Sequence, residues 1–237
     1  MASLICPFLL MMYLSTTNCV VVDQLIYPLI DTEILDFIDV IIGLYDNTAQ
    51  LTPGCDTQYN HIQVRVLPIY ISYPPFVGKP LLLFEFVVDL KVVLLQIILV
   101  TKDTYRPNIL TLLPFNITSN PGKYRPGKFS VEDLEHLKFA DLENDPDCNI
   151  RFERLADGSY SGVWPDCRST ILGLHPSYTV TLTCTYQTNT IPLFSNERST
   201  NSPYVYEKTK CGVPIPYAPP GFVGACAKLL LQCPVLG

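Results

Sequence analysis

Twenty consecutive residues from Leu81 to Val100 (LLLFEFVVDLKVVLLQIILV) constrain this chain more than any other segment. The run is long enough to cross a bilayer as a helix. Glu85, Asp89 and Lys91 sit near its middle, however, and each charge at a helix centre costs about 2.5–3.5 kcal/mol on insertion scales. Val, Ile and Phe are abundant on both sides of Asp89-Leu90-Lys91. The segment is therefore expected to form two buried strands joined by a short turn, with no membrane span.

Further period-2 patterns extend the β reading. His61-Ile62-Gln63-Val64-Arg65-Val66 alternates polar and apolar residues, Tyr178 to Tyr186 (YTVTLTCTY) does the same, and Pro203 to Lys208 is a shorter candidate. Two stretches read as helices. Asp31 to Leu44 places Ile34, Leu35, Ile38, Ile41 and Ile42 at helical spacing, and Ser130 to Leu142 opens on an N-cap serine followed by Leu134, Leu137 and Leu142. The expectation is one antiparallel β-barrel with a short N-terminal helix and one inserted helix.

The segment from Cys148 to Cys167 invites a register argument. Asp157-Gly158 at its centre is a two-residue hairpin signal. Counting outward sets Phe152 against Val163 and Cys148 against Cys167, within the roughly 4.5–5.5 Å that a disulfide can bridge. In that register Ile150, Phe152 and Val163 share the core face. Arg151 lies opposite Trp164 on the other face as a cation–π pair. Trp164, the only tryptophan, reads either as sheet packing or as the wall of a ligand pocket. Cys211–Cys226 is a second expected bridge, closing a Pro-rich tail.

Nine cysteines and 21 prolines in 237 residues fit a loop-rich protein of an oxidising compartment. Leu4 to Leu14 has the length of a signal-peptide core, followed by small residues up to Cys19, although a basic flank is missing. A buried strand is the competing reading. The chain divides into a signal peptide (1–19), a barrel domain (20–210) and a Pro/Cys-rich extension (211–237), and the mature protein is expected to be secreted and extracellular. Asn116-Ile117-Thr118 is its one glycosylation sequon.

Other function classes are excluded. Sixteen basic against 22 acidic residues, a net charge of −6, does not suit nucleic-acid binding. No C-x-x-C pair occurs and His61, His136 and His175 are scattered, so no metal site is expected. Gly158-Ser159-Tyr160-Ser161-Gly162 has a tyrosine where a nucleophile elbow needs serine. Walker, dinucleotide-binding and H-E-x-x-H motifs are absent.

Taken in order, several phrases resemble the T-type phycobiliprotein lyases, the CpcT/CpeT chromophore lyase family. They are Tyr45-Asp46-Asn47-Thr48-Ala49-Gln50, Ile62 to Pro68, Leu82-Leu83-Phe84-Glu85, Gln96-Ile97-Ile98-Leu99, Asp141-Leu142 and the hairpin from Cys148 to Arg168. The likeness spans roughly residues 40–208. The Asp-Arg-Gly and Trp-Gly phrases common late in family members are missing here. The resemblance implies a calycin-like barrel, often a homodimer, that needs no cofactor, binds a bilin (an open-chain tetrapyrrole) and attaches it to a cysteine of an acceptor protein. By residue type Glu85 is then the candidate catalytic acid, with Arg65 and Arg168 as propionate partners and Trp164 on the pocket. Glu85 reads equally as a solvent-facing strand residue or a partner of Lys91. The alternative is a non-catalytic, lipocalin-like binding protein for an apolar small molecule, or a structural barrel filled by its own side chains.

Overall fold

The computed structural model describes residues 30–51, 59–118, 131–165, 177–190, 203–210 and 213–227. Its strands are β1 (Gly43–Asp46), β2 (Ile62–Ile69), β3 (Leu81–Val88), β4 (Lys91–Lys102), β5 (Ile109–Ile117) and β6 (Leu142–Asn144). They continue as β7 (Ile150–Arg154), β8 (Tyr160–Trp164), β9 (Tyr178–Leu182), β10 (Tyr186–Thr190) and β11 (Tyr204–Lys210). All eleven belong to one antiparallel sheet in the order β4-β3-β2-β1-β11-β10-β9-β8-β7-β5-β6, and a β4–β5 pairing closes it. Every strand but β6 lies on the ring; β6 attaches to the C-terminal half of β5. The described residues form a closed barrel, mostly strand, with one α-helix among them, α1 (Thr32–Ile41).

The long apolar run resolves as expected into β3 and β4. Asp89 and Leu90 turn between them with positive φ at both positions, 47° and 64°, the geometry of a type I′ hairpin. The run is apolar throughout because both of its faces are covered. Leu82, Phe84, Phe86 and Val88 point into the barrel. Leu81 and Leu83 point outward, beneath a second layer built from Phe76 and the 131–137 segment. Among the described residues, no helix is long and apolar enough to cross a membrane.

α1 begins at Asp31, whose carboxylate accepts from Glu33 N at 2.9 Å. Six of its residues, from Ile34 to Ile41, are buried, leaving a polar stripe of Glu33, Asp36 and Asp39. The helix seals one end of the barrel, with Phe37 packed on Phe152 and Tyr160 at ring distances of 5.2 and 5.0 Å. The C-terminal residues 213–227 cover the same end, where Tyr217 Oη donates to Leu81 O at 3.1 Å.

Four expectations need correction. The inserted helix is not α-helical: two 3₁₀ turns (Val131–His136 and Phe139–Asp141) lead into β6. Leu134 and Leu137, three apart, match the tighter period and fill the outer layer. Tyr178–Tyr186 is two strands, since the Thr183 hydroxyl accepts from Tyr186 N (3.0 Å) and Thr185 N (3.3 Å) and folds Thr-Cys-Thr into a turn.

The register of the β7–β8 hairpin is offset by one residue. Gly158 N bonds Leu155 O at 3.0 Å, and Gly158 takes φ +85°. The loop is thus a three-residue turn with a glycine bulge, not a two-residue one. Phe152 therefore faces Gly162, and Arg151 faces Val163. Trp164 is on the core face and Val163 is exposed, the reverse of the expected faces. Gly162 is required there, because a Cβ would meet the Phe152 ring at 2.6 Å.

The fourth correction concerns the cysteines. Cys226 is bonded to Cys184, not Cys211, tying the tail to the β9–β10 turn. Cys148 is buried and disulfide-bonded at the end of a 3₁₀ turn, ahead of β7 rather than on it. Direct strand opposition therefore does not apply to it, and Cys167 lies outside the described residues, as do Cys211 and the 1–19 segment.

Candidate functional site at the aromatic end of the barrel

Antiparallel pairing puts the C-terminal ends of β2, β4, β7, β9 and β11 under α1. The opposite end carries Trp164, Tyr178, Tyr204 and the start of β2.

The inner wall here is aromatic. Trp164 and Tyr178 are register partners on β8 and β9 and stack at 5.5 Å with 23° between planes. Phe84 lies 5.9 Å from Trp164 across the interior, and Tyr204 stacks on Tyr206. Below them the barrel is filled. The cavity framed by Phe84, Phe152, Trp164 and Tyr178 holds only about 20 Å³, room for one water.

A short list of polar side chains interrupts this wall. Gln187 Nε2 donates to Asn189 Oδ1 at 2.9 Å on β10. Gln96, on β4 beside Phe84, donates through Nε2 to Asn116 Oδ1 at 2.9 Å, and its Oε1 is buried without a partner among the described residues. The Tyr206 hydroxyl is buried near Asn189, and burial holds it protonated. Unpaired buried acceptors cost stability unless something else satisfies them. Asn116, read from the sequence as a surface-loop sequon, instead lies within β5 with its carboxamide held by Gln96.

The expected acid and cation stand on the other side of the sheet. Glu85 alternates with Phe84 and Phe86, so it points away from the barrel interior. It forms an ion pair with its register partner Arg65, not with Lys91. Glu85 is 4% exposed and its Oε1 has no hydrogen bond among the described residues, whereas the Arg65 side chain is over a third exposed. The structure thus brings Glu85 and Arg65 together but separates both from Trp164 by the thickness of the sheet. Arg168 lies outside the described residues.

At the rim Asp46 accepts from Gln63 Nε2 (2.8 Å), His61 Nε2 (3.0 Å) and Thr48. Burial works against the Asp46 carboxylate, but the hydrogen bonds from Thr48, Gln63 and His61 outweigh it and hold its pKa at about 2. Thr48 Oγ1 and Asp46 approach the same imidazole nitrogen. A catalytic relay needs base and orienting acid on opposite nitrogens, so this cluster is a structural clasp. No group of three or more potential metal ligands occurs among the described residues.

Gln96 and Tyr178 were not among the candidates drawn from sequence. A signal for Gln96 was present: it is the one polar side chain between Leu94 and Val100.

Strand order and end walls define a closed antiparallel β-barrel, sealed by α1 at one end and lined by aromatic side chains at the other. Among solved structures it is similar to the T-type phycobiliprotein lyase CpeT from Prochlorococcus phage P-HM1, at 15% identity and a TM-score of 0.45, over 75% of this chain and 98% of that one. Likeness at this level bears on no side chain. No family model matches the sequence, and no curated protein does.

Proposed function

We propose that this is a secreted CpcT/CpeT-like barrel that binds a planar conjugated molecule of the open-chain tetrapyrrole class at its aromatic end, without transferring it. The Trp164–Tyr178 stack carries this reading, together with Gln96, register partner of Phe84, whose Oε1 has no partner among the described residues. Stacked aromatics accept a conjugated ring system, and a buried carboxamide oxygen accepts a pyrrole N–H. The ligand sits across the mouth, because the interior beneath is full. Binding is favoured over transfer because Glu85, the expected acid, faces away from the stack. Secretion rests on the apolar run Leu4–Leu14 and on the Cys184–Cys226 bond, which an oxidising compartment maintains.

Titration with biliverdin tests the reading, with the single tryptophan as reporter. Saturable quenching of Trp164 fluorescence and a shifted visible band are expected. Absence of both returns the protein to the second reading, a structural barrel filled by its own side chains, which the 20 Å³ interior favours. Secretion is tested by expressing the whole chain in a secretory host. A mature protein in the medium that starts near residue 20 is expected, and intracellular retention at full length overturns it.

A further inference from the structure

A second cavity, of about 260 Å³, lies at the closed end between α1 and the β7–β8 hairpin. One carboxylate (Glu33) and one guanidinium (Arg154) line it, over an apolar floor that includes Pro107, Leu110 and Leu155. Asn108, Ala156 and Tyr160 complete the lining. Tyr160 is 1% exposed, and its hydroxyl has no hydrogen-bond partner among the described residues. Phe37 packs edge-on against the Tyr160 ring at 5.0 Å and the Arg154 guanidinium lies 6.0 Å from its centre, so the ring is held in place. Burial pushes its pKa up to about 12, which keeps the hydroxyl a donor at neutral pH.

Both charges have capacity to spare. Arg154 reaches Asp36 only at 3.8 Å, through one nitrogen of a five-donor group. Glu33 engages Lys102 through Oε2 at 2.6 Å, with a half-exposed side chain. A ligand bearing only a negative charge would place it beside Glu33 and Asp36. A ligand bearing only a positive charge would face Arg154 and leave the Tyr160 hydroxyl without an acceptor. A ligand that carries an anionic and a cationic group on one carbon satisfies all three groups.

We propose that this cavity binds a free α-amino acid with an apolar side chain. Its carboxylate accepts from Tyr160 Oη and Arg154, its ammonium faces Glu33, and its side chain lies on Pro107, Leu110 and Leu155. The volume falls just below the roughly 300–1,000 Å³ of drug-sized pockets, which suits one such molecule. This site is independent of the aromatic mouth at the other end of the barrel.

Isothermal titration of the whole protein with L-phenylalanine, phenethylamine and 3-phenylpropanoate tests it. Saturable 1:1 binding of L-phenylalanine is expected, with each singly charged analogue at least about tenfold weaker, as the loss of a charge-assisted hydrogen bond implies. Tyr160→Phe and Glu33→Gln should each weaken binding by a similar factor. The first keeps the fold because the hydroxyl has no bond to lose, and an unchanged melting temperature checks this. Trp164→Phe should leave binding unaltered. The proposal is overturned if L-phenylalanine gives no binding heat, if either analogue binds equally well, or if the Tyr160 and Glu33 variants bind like the parent.

Discussion

The two ends of the barrel meet opposite demands. At the closed end the polar groups of the plug find partners. Val40 O at the end of α1 accepts from Lys208 Nζ at 2.7 Å, and the Tyr45 hydroxyl donates to Val40 O and Ile41 O at 3.0 and 2.8 Å. Asp39 accepts from Cys226 N at 2.7 Å, one residue position that is also tied through its disulfide to the β9–β10 turn. A helix that lacks a basic residue in its last turn thereby receives a cation from β11 instead. Toward the aromatic end Gln96 Oε1 is buried without a partner among the described residues. The helix plug is tied into the barrel by hydrogen bonds to its last carbonyls and to Asp39, and the Gln96 carboxamide is satisfied on one side only among those residues.

Truncating the plug gives the largest effect. Phe37 is fully buried between Phe152 and Tyr160, so Phe37→Ala should cost about 3–5 kcal/mol in urea denaturation. Trp164→Ala at the aromatic rim should cost less; the reverse order would break the comparison. Next comes the disulfide. Its half-cystines are 42 residues apart, so a long loop is closed, and Cys184→Ser should cost about 2–4 kcal/mol. Hydrogen exchange should show that loss first in residues 213–227.

The ends should also answer to opposite limbs of a pH titration. Asp46, at the aromatic rim, has its folded pKa near 2 against an ordinary 3.8. Its contribution is present above 3.8 and is lost as pH falls through 2, on the order of 2 kcal/mol. Asp46→Asn should flatten that acid limb. Lys208, at the closed end, has its pKa lowered by burial from 10.5 to about 8, with Asp39 opposing the shift. The unfolded chain then holds more protons than the folded one above pH 8, so stability should rise from pH 8 toward 10 by a similar amount. Above 10 the buried tyrosines, whose pKa values are raised in the fold, reverse the trend. Lys208→Met should remove the rise while leaving the acid limb intact.

Strand content was legible because alternation and the charges at Glu85, Asp89 and Lys91 exclude a helix. Which face of β3 looks inward was not, since Leu83 and Phe84 are equally apolar and both faces are covered. Glu85 and Trp164 are joined in one site by residue type and by the resemblance, and the pattern of β3 could not show that they lie on opposite faces of the sheet. The β7–β8 hairpin failed for a different reason: Asp157-Gly158 fits either a two-residue turn or a bulged three-residue one, and one residue of offset exchanges the faces of Val163 and Trp164. Cys184 lies in a stretch of good strand formers, so nothing local marked it as a turn facing Cys226. Long-range contacts decided each of these cases.

The smallest expected effect on stability bears most directly on the difference between the ends. Gln96→Leu removes a buried acceptor that has no partner, at the cost of the donor to Asn116 Oδ1. These changes oppose each other, so the net shift should stay within about 1 kcal/mol. If the aromatic end is shaped by ligand binding, the same substitution should abolish the biliverdin-induced quenching of Trp164, a disproportionate loss of binding for a fold left intact. A binding site retained against the interest of the fold behaves in this way, because a polar group kept for a ligand is a liability until the ligand arrives. If quenching survives Gln96→Leu, then Gln96 serves the barrel wall alone and the two ends differ only in how well they are packed.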